Sequence, residues 1–176
     1  MKLALALQLT LLAYHQIFTR FDFFPFNGAR FSKPTERIGE AAFNGLLMGF
    51  VPASYLFGWN VLLRYGAPYY SILFACELAT WFVPYFFGAS PKWQEIYSRI
   101  QARTIMVLPR RGDNPTPNLE HLILMALTLV TAIATAVAFS VLPRATPPNR
   151  WVVLGIGLVM LYGIAHTHWK RTARIL

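Results

Sequence analysis

Five long apolar runs, separated by connections that carry nearly all the charge, constrain this chain more than any other feature. A helix needs roughly 20 mostly apolar residues to cross the hydrocarbon of a bilayer, at 1.5 Å per residue. The runs at about Leu3–Thr19, Glu40–Leu63, Pro68–Gly88, Asn118–Leu142 and Trp151–Trp169 reach that length. They are about twice as long as a barrel strand and lack its alternation, so the sequence predicts helices. Only 13% of the 176 residues are charged and 56% are hydrophobic. A soluble domain carries about 25% charged residues, so much of this surface is expected to face lipid. The expected fold is all-α: a polytopic membrane protein with a single bundle of five transmembrane helices over residues 1–176.

The charge pattern orients the bundle. Arg20, Arg30, Lys33 and Arg37 follow the first run. Lys92, Arg99, Arg103, Arg110 and Arg111 follow the third, and Lys170, Arg171 and Arg174 follow the fifth. These are twelve of the sixteen lysines and arginines; Lys2, Arg64, Arg144 and Arg150 lie on the other side. Cytoplasmic loops carry the positive excess, which predicts a multi-pass protein with its N-terminus outside and its C-terminus cytoplasmic. The net charge of +9 then belongs to the inner face and implies attraction to anionic headgroups. A nucleic-acid partner is not expected, because no basic globular domain exists to carry one. No small-x-small cleavage site follows the first run, where Tyr14-His15-Gln16 stands instead, so it reads as a span rather than a signal peptide. The lone Cys76 excludes an internal disulfide and thiol-pair redox chemistry.

Between the third and fourth runs, Pro91–Val107 has Trp93, Ile96, Tyr97, Ile100 and Val107 at helical spacing, with Lys92, Gln94, Glu95, Arg99 and Arg103 filling the opposite side. This predicts an interfacial amphipathic helix, apolar side in lipid; the alternative is a connector packed on the bundle. Ser90-Pro91 and Thr116-Pro117 are expected to start helices, and Pro52 and Pro84 to interrupt two of them. Trp59, Tyr69, Tyr70 and Trp151 are expected in an outer aromatic belt, with Trp93 and Trp169 in an inner one. Gly45 and Gly49, the stripe of Thr128, Ala132 and Ala136, and Gly155 with Gly157 are expected helix-contact surfaces, within the bundle, in a homo-oligomer or against a membrane-protein partner.

Two constellations carry chemistry. Glu77 lies near the middle of the third run, where a carboxylate costs about 3 kcal/mol on insertion scales. It must face the interior, find a partner or be protonated. Trp81 and Tyr85 share its helix face, and Asn44 is a polar neighbour on the second run. These four residues are the expected ligand site, with Glu77 the candidate acid/base if the chain is an enzyme. The second constellation is His15, His121 and His166 with Glu40, all placed at the cytoplasmic ends of their runs. Imidazole and carboxylate at one depth suit a transition metal, a haem or a proton relay, although no His-Glu-x-x-His or histidine box is present. His168 reads as an interfacial residue.

The preferred functional expectation is a non-catalytic integral membrane protein that binds a small apolar ligand or lipid, or serves as an accessory subunit of a membrane assembly. The alternative is a small membrane enzyme or redox protein acting on a lipophilic substrate. Phosphate-loop and nucleophile-elbow signatures are absent, as are the inverted repeats of transporters.

Overall fold

A computed structural model describes residues 1–58, 64–140 and 149–169, with the side chains of 156, 160, 161 and 163–169 outside the described set. The described chain is all-helical. Helix α1 spans Lys2–Arg20, a 3-10 turn spans Ala29–Phe31, and α2 spans Pro34–Leu56. These are followed by α3 at Gly66–Phe87, α4 at Pro91–Ile100, α5 at Leu119–Ser140 and α6 at Arg150–Trp169. The five long helices pack in the order α2, α1, α5, α3, α6. At one end α1, α2, α3 and α5 converge on an apolar core of Leu11, Met48, Val51, Tyr70, Leu73 and Ala132.

Local chemistry accounts for the helix ends. The Ser90 hydroxyl accepts from Trp93 N–H at 3.3 Å, with Pro91 following as the first helical residue. The Glu36 carboxylate reaches back to Lys33 N–H at 2.9 Å, one half of a capping box. Gly88, at φ 87, stops α3 in a conformation that only glycine adopts without strain. The expected cap at Thr116 is displaced. The Asn118 side chain accepts from His121 N–H at 3.0 Å, so α5 begins two residues later. Helices α2 and α3 run through Pro52 and Pro84. Pro52 has no N–H to give the Met48 carbonyl, and the Tyr70 hydroxyl of α3 supplies a donor to that oxygen instead, at 3.4 Å.

Beside this apolar core, two helices bury polar side chains while leaving apolar ones exposed. On α5, Thr128, Thr131 and Thr135 are buried at 1% exposure or less, whereas Val130, Ile133 and Val137 are about half exposed, at 48%, 56% and 59%. Helix α1 likewise buries Gln8 and His15 while exposing Leu3, Leu9 and Ile17. Gly45 and Gly49 face α1, against Gln16 and Leu12, so that glycine step serves the bundle itself. Gly155 faces open space and Gly157 meets Ile72.

Several expectations change. Among the described residues, two helices are both long and apolar enough to cross a membrane: α3 and α5, each with a third of its apolar window buried. The expected five spans thus reduce to two candidates on this criterion. Helix α1 carries Gln8, Thr10, Tyr14, His15 and Gln16, and α2 carries Glu36, Arg37, Glu40 and Asn44, which dilute their apolar character. Only Arg150–Val159 of α6 enters the comparison. The far ends of the second and fourth expected spans lie outside the described residues, as do Trp59, Arg144, Lys170, Arg171 and Arg174. Tyr69 and Tyr70 belong to the core, at 3% and 0% exposure, rather than to a lipid-facing belt. Helix α4 ends at Ile100, not Val107, and its apolar face is occupied by protein. Tyr97 is buried, Trp93 meets Trp81 at 5.5 Å, and Ile100 abuts Gly28.

Arg99 clasps α4 to the start of α2. Its guanidinium donates to both Glu36 oxygens, at 2.9 and 3.1 Å, and to the Phe31 carbonyl at 2.9 Å. The Arg99 hydrogen bonds, helped by the Lys33 N–H, hold the Glu36 carboxyl below its ordinary value of 4.5. A lowered carboxyl stabilises the fold above that ordinary value, and the stabilisation fades as pH falls toward the lower folded value. Acidification through this window is therefore expected to destabilise the protein in detergent by under about 1 kcal/mol for so exposed a pair. Arg99→Gln should remove this part of the pH dependence of thermal unfolding.

Candidate functional site

The polar residues gather at the end of the bundle where α1 finishes and α2 and α5 begin. Asn27 builds this end. Buried at 1% exposure, its amide donates to the Phe18 and Phe21 carbonyls, at 2.7 and 2.8 Å, and accepts from Phe23 N–H at 2.8 Å. It thereby satisfies the orphan carbonyls at the end of α1 and turns the chain back toward α2. The result is a cleft of about 40 Å³, its wall including Thr19, Arg37, Glu40, Gln101, Glu120 and His121. Room for about three or four waters is implied, at about 10–15 Å³ each.

Three members of the predicted histidine constellation meet here. His15 is buried at 7% exposure, and its Nε2 lies 3.8 Å from Glu40 Oε1, with Glu40 56% exposed at the cleft mouth. His121 enters from α5 beside Glu120, whose backbone carbonyl accepts the Tyr14 hydroxyl at 3.0 Å. The side chains of His166 and His168 lie outside the described residues. Among the described residues, no group of three histidine, cysteine, aspartate or glutamate side chains is arranged to hold a metal ion.

The hydrogen bonds determine the His121 tautomer. The Asn118 amide donates to Gln101 Oε1 at 2.7 Å and to Thr104 Oγ1 at 2.9 Å, so its oxygen is the acceptor. That oxygen is 2.6 Å from His121 Nδ1. Nδ1 therefore carries the proton, and Nε2 of the neutral ring holds a lone pair. The imidazole lies against the Trp81 indole, with centroids 4.1 Å apart.

Glu77 lies one helical turn from Trp81, deeper in the bundle. Its Oε1 accepts from the Thr128 hydroxyl at 2.9 Å, and its Oε2 is buried without a hydrogen-bond partner. Thr128 is also 3.0 Å from the Leu124 carbonyl, so two acceptors compete for one hydroxyl proton. Tyr85 donates to the Pro109 carbonyl at 2.9 Å, and Asn114 donates to the Tyr85 carbonyl, so Tyr85 anchors the α4–α5 connection. Asn44 is half-buried on α2, and no hydrogen bond joins it to Glu77 among the described residues. The structure thus brings Glu77, Trp81 and His121 to one interface and leaves Asn44 and Tyr85 apart from it. Thr128 is the partner that sequence reasoning missed. Its spacing with Thr131 and Thr135 on one face of α5 was the available signal.

A second concavity adjoins the cleft. A groove of about 410 Å³ is lined by Arg20, Pro34, Arg37, Ile38, Ala41 and Ala42, and Arg37 forms part of both walls. Arg37 Nη1 donates to the Arg20 carbonyl at 3.1 Å, which fixes the guanidinium at the groove. Among the described residues neither arginine has a carboxylate within ion-pair distance, whereas Arg30 and Arg99 are paired with Asp22 and Glu36.

No known protein family, no curated protein and no solved structure matches this chain.

Proposed function

We propose that this chain is a non-catalytic integral membrane protein that binds a phospholipid at its inner face, with the phosphate held by Arg20 and Arg37. In this reading all five long helices cross the bilayer, N-terminus outside and C-terminus cytoplasmic, and the polar residues of α1 and α2 turn inward. The burial of Gln8, His15 and the α5 threonines, with valine, leucine and isoleucine exposed on the same helices, supports it, because polar groups turned inward and apolar groups turned outward suit a lipid solvent. Phe21, Phe23, Phe24, Phe86 and Phe87 are exposed near the same end. Arg30 stands 4.5 Å from the Phe24 ring and Arg111 4.8 Å from that of Phe86. Such aromatic and cationic pairs suit the headgroup boundary.

The observation that carries the proposal is the groove itself: Arg20 and Arg37, neither with a carboxylate partner among the described residues, line it together with the apolar Ile38, Ala41 and Ala42. Guanidinium suits phosphate geometry, and the apolar lining suits the acyl chains. The test is mass spectrometry of lipid extracted from protein purified in mild detergent. The native chain should retain about one phospholipid, and Arg20→Gln/Arg37→Gln should retain at least about tenfold less, the cost of losing charge-assisted bonds. Equal retention by both would overturn the proposal. One observation favours the enzyme or redox alternative: His121, Glu120 and Glu40 line one cleft. A visible absorbance band or stoichiometric metal in the same preparation would make that alternative the better account.

A further inference from the structure

We infer that Glu77 is a proton-binding site inside the bundle, held as the neutral acid with its hydrogen on Oε1 donated to Thr128, so that loss of this proton redirects the Thr128 hydroxyl. The inference is independent of the phospholipid groove. It starts from the competition at Thr128, which is fully buried on α5. The Thr128 oxygen lies 2.9 Å from Glu77 Oε1 and 3.0 Å from the Leu124 carbonyl. A hydroxyl has one hydrogen to give, but its lone pairs can also accept. A backbone carbonyl has no hydrogen to offer, whereas a carboxylic acid has one. With the proton on Oε1, Glu77 donates to Thr128 and Thr128 donates to Leu124, so both short contacts are hydrogen bonds. With Glu77 ionised, Thr128 is the donor to Oε1, and it faces the Leu124 carbonyl with lone pairs only. The proton therefore decides whether α3 is linked to the Leu124 carbonyl through Thr128 or that link is lost.

The surroundings favour the neutral acid. Among the described residues, no lysine, arginine or histidine lies within ion-pair distance of Glu77. Oε2 is buried without a hydrogen-bond partner, so an ionised carboxylate would have a charged oxygen with no donor. Buried charge is costly unless it is paired and hydrogen-bonded. The acid leaves only a neutral carbonyl oxygen at Oε2, a smaller penalty. The ionisable side chains close enough to feel its charge are Tyr69 and Cys76 of its own helix, both buried and neither a cation. Helices α5 and α6 pack on α3. Helix α5 brings Glu120 and His121 two turns from Thr128, and the described side chains of α6 bring Arg150, at its first residue, and Tyr162.

The test is difference infrared spectroscopy of the full-length protein in mild detergent and neutral buffer, native minus Glu77→Gln. Glutamine keeps the shape of the side chain and can donate to Thr128 through its amide, so the variant is expected to fold, which retained helical circular dichroism checks. The carboxyls common to both proteins cancel. The expected difference is one carbonyl band of a neutral carboxylic acid, present in the native chain and lost in the variant. Thr128→Val, which removes the acceptor and keeps the shape, should shift that band to higher frequency without abolishing it, as for an acid freed from a hydrogen bond. A native-minus-Gln difference confined to carboxylate bands would overturn the inference, because Glu77 would then be ionised. An acid band that Thr128→Val leaves in place would overturn it as well, because the proton would not be shared with Thr128. If Glu77→Gln does not fold, the native-minus-Thr128→Val difference decides alone: a shifted acid band supports the inference and its absence overturns it.

Discussion

Asn118→Ala is expected to destabilise the protein by about 3–5 kcal/mol. The side chain is fully buried and makes four hydrogen bonds: donations to Gln101 and Thr104, and acceptance from the backbone N–H and ring Nδ1 of His121. Each such bond is worth about 1 kcal/mol net, and buried groups left without partners cost about 1–3 kcal/mol each. Alanine strands the His121 N–H, its ring N–H and the Gln101 carbonyl together, and it uncaps α5. Because the helix start, the α4–α5 connection and the His121 ring share this one amide, the loss concentrates at the cleft. Unfolding in mild detergent by heat or by titrated SDS measures it. Asn118→Asp, which keeps the acceptor for His121 but not the donor, should recover part of the loss. A fall below about 1 kcal/mol for Asn118→Ala would mean that the network does not hold α5 in place.

Gly28→Ala is expected to cost about 2–3 kcal/mol through a different cause. The backbone at Gly28 has φ −103, which any residue adopts, so conformational freedom is not the reason for glycine here. The space is filled instead. An added Cβ would overlap the Ile100 carbonyl oxygen and come within 2.9 Å of the carbonyl carbon and Cγ2 of that residue. Two of these atoms are backbone at the end of α4, so relief requires moving the helix, and overpacking of this kind typically costs 1–3 kcal/mol. Since Gly28 and Ile100 both line the cleft, the variant should also perturb the cleft. Restored stability in a Gly28→Ala/Ile100→Ala pair would not be expected, because the overlap is with main-chain atoms, not with the isoleucine tip alone.

Much of the candidate site was legible in the sequence. Successive helices alternate in direction, so counting along the apolar runs places His15, Glu40 and His121 at one end before any contact is known, and the structure joins His15 with Glu40 there. Glu77 stands out because a carboxyl in an apolar run requires a partner. That the partner is Thr128, rather than Asn44, depends on which faces of α3 and α5 meet. Arg20 and Arg37 look like ordinary flanking charges in the sequence; only the close approach of α1 and α2 turns them into the rim of a groove.

Run length and residue type by themselves determined that the described chain is all-helical and where most of its helices lie, because period and apolar length are local properties. The tertiary structure alone decided which faces are inside. Amphipathic spacing on α4 is equally compatible with lipid or protein, and Trp81, Gly28 and Glu36 resolve it in favour of protein. The same holds for the polar residues of α1 and α2. In the sequence they merely lower apolar character; in the fold they pair across helices. Burial of a polar group is favourable only with a partner, and a partner more than a hundred residues away, as Thr135 is for Gln8, is invisible until the helices pack.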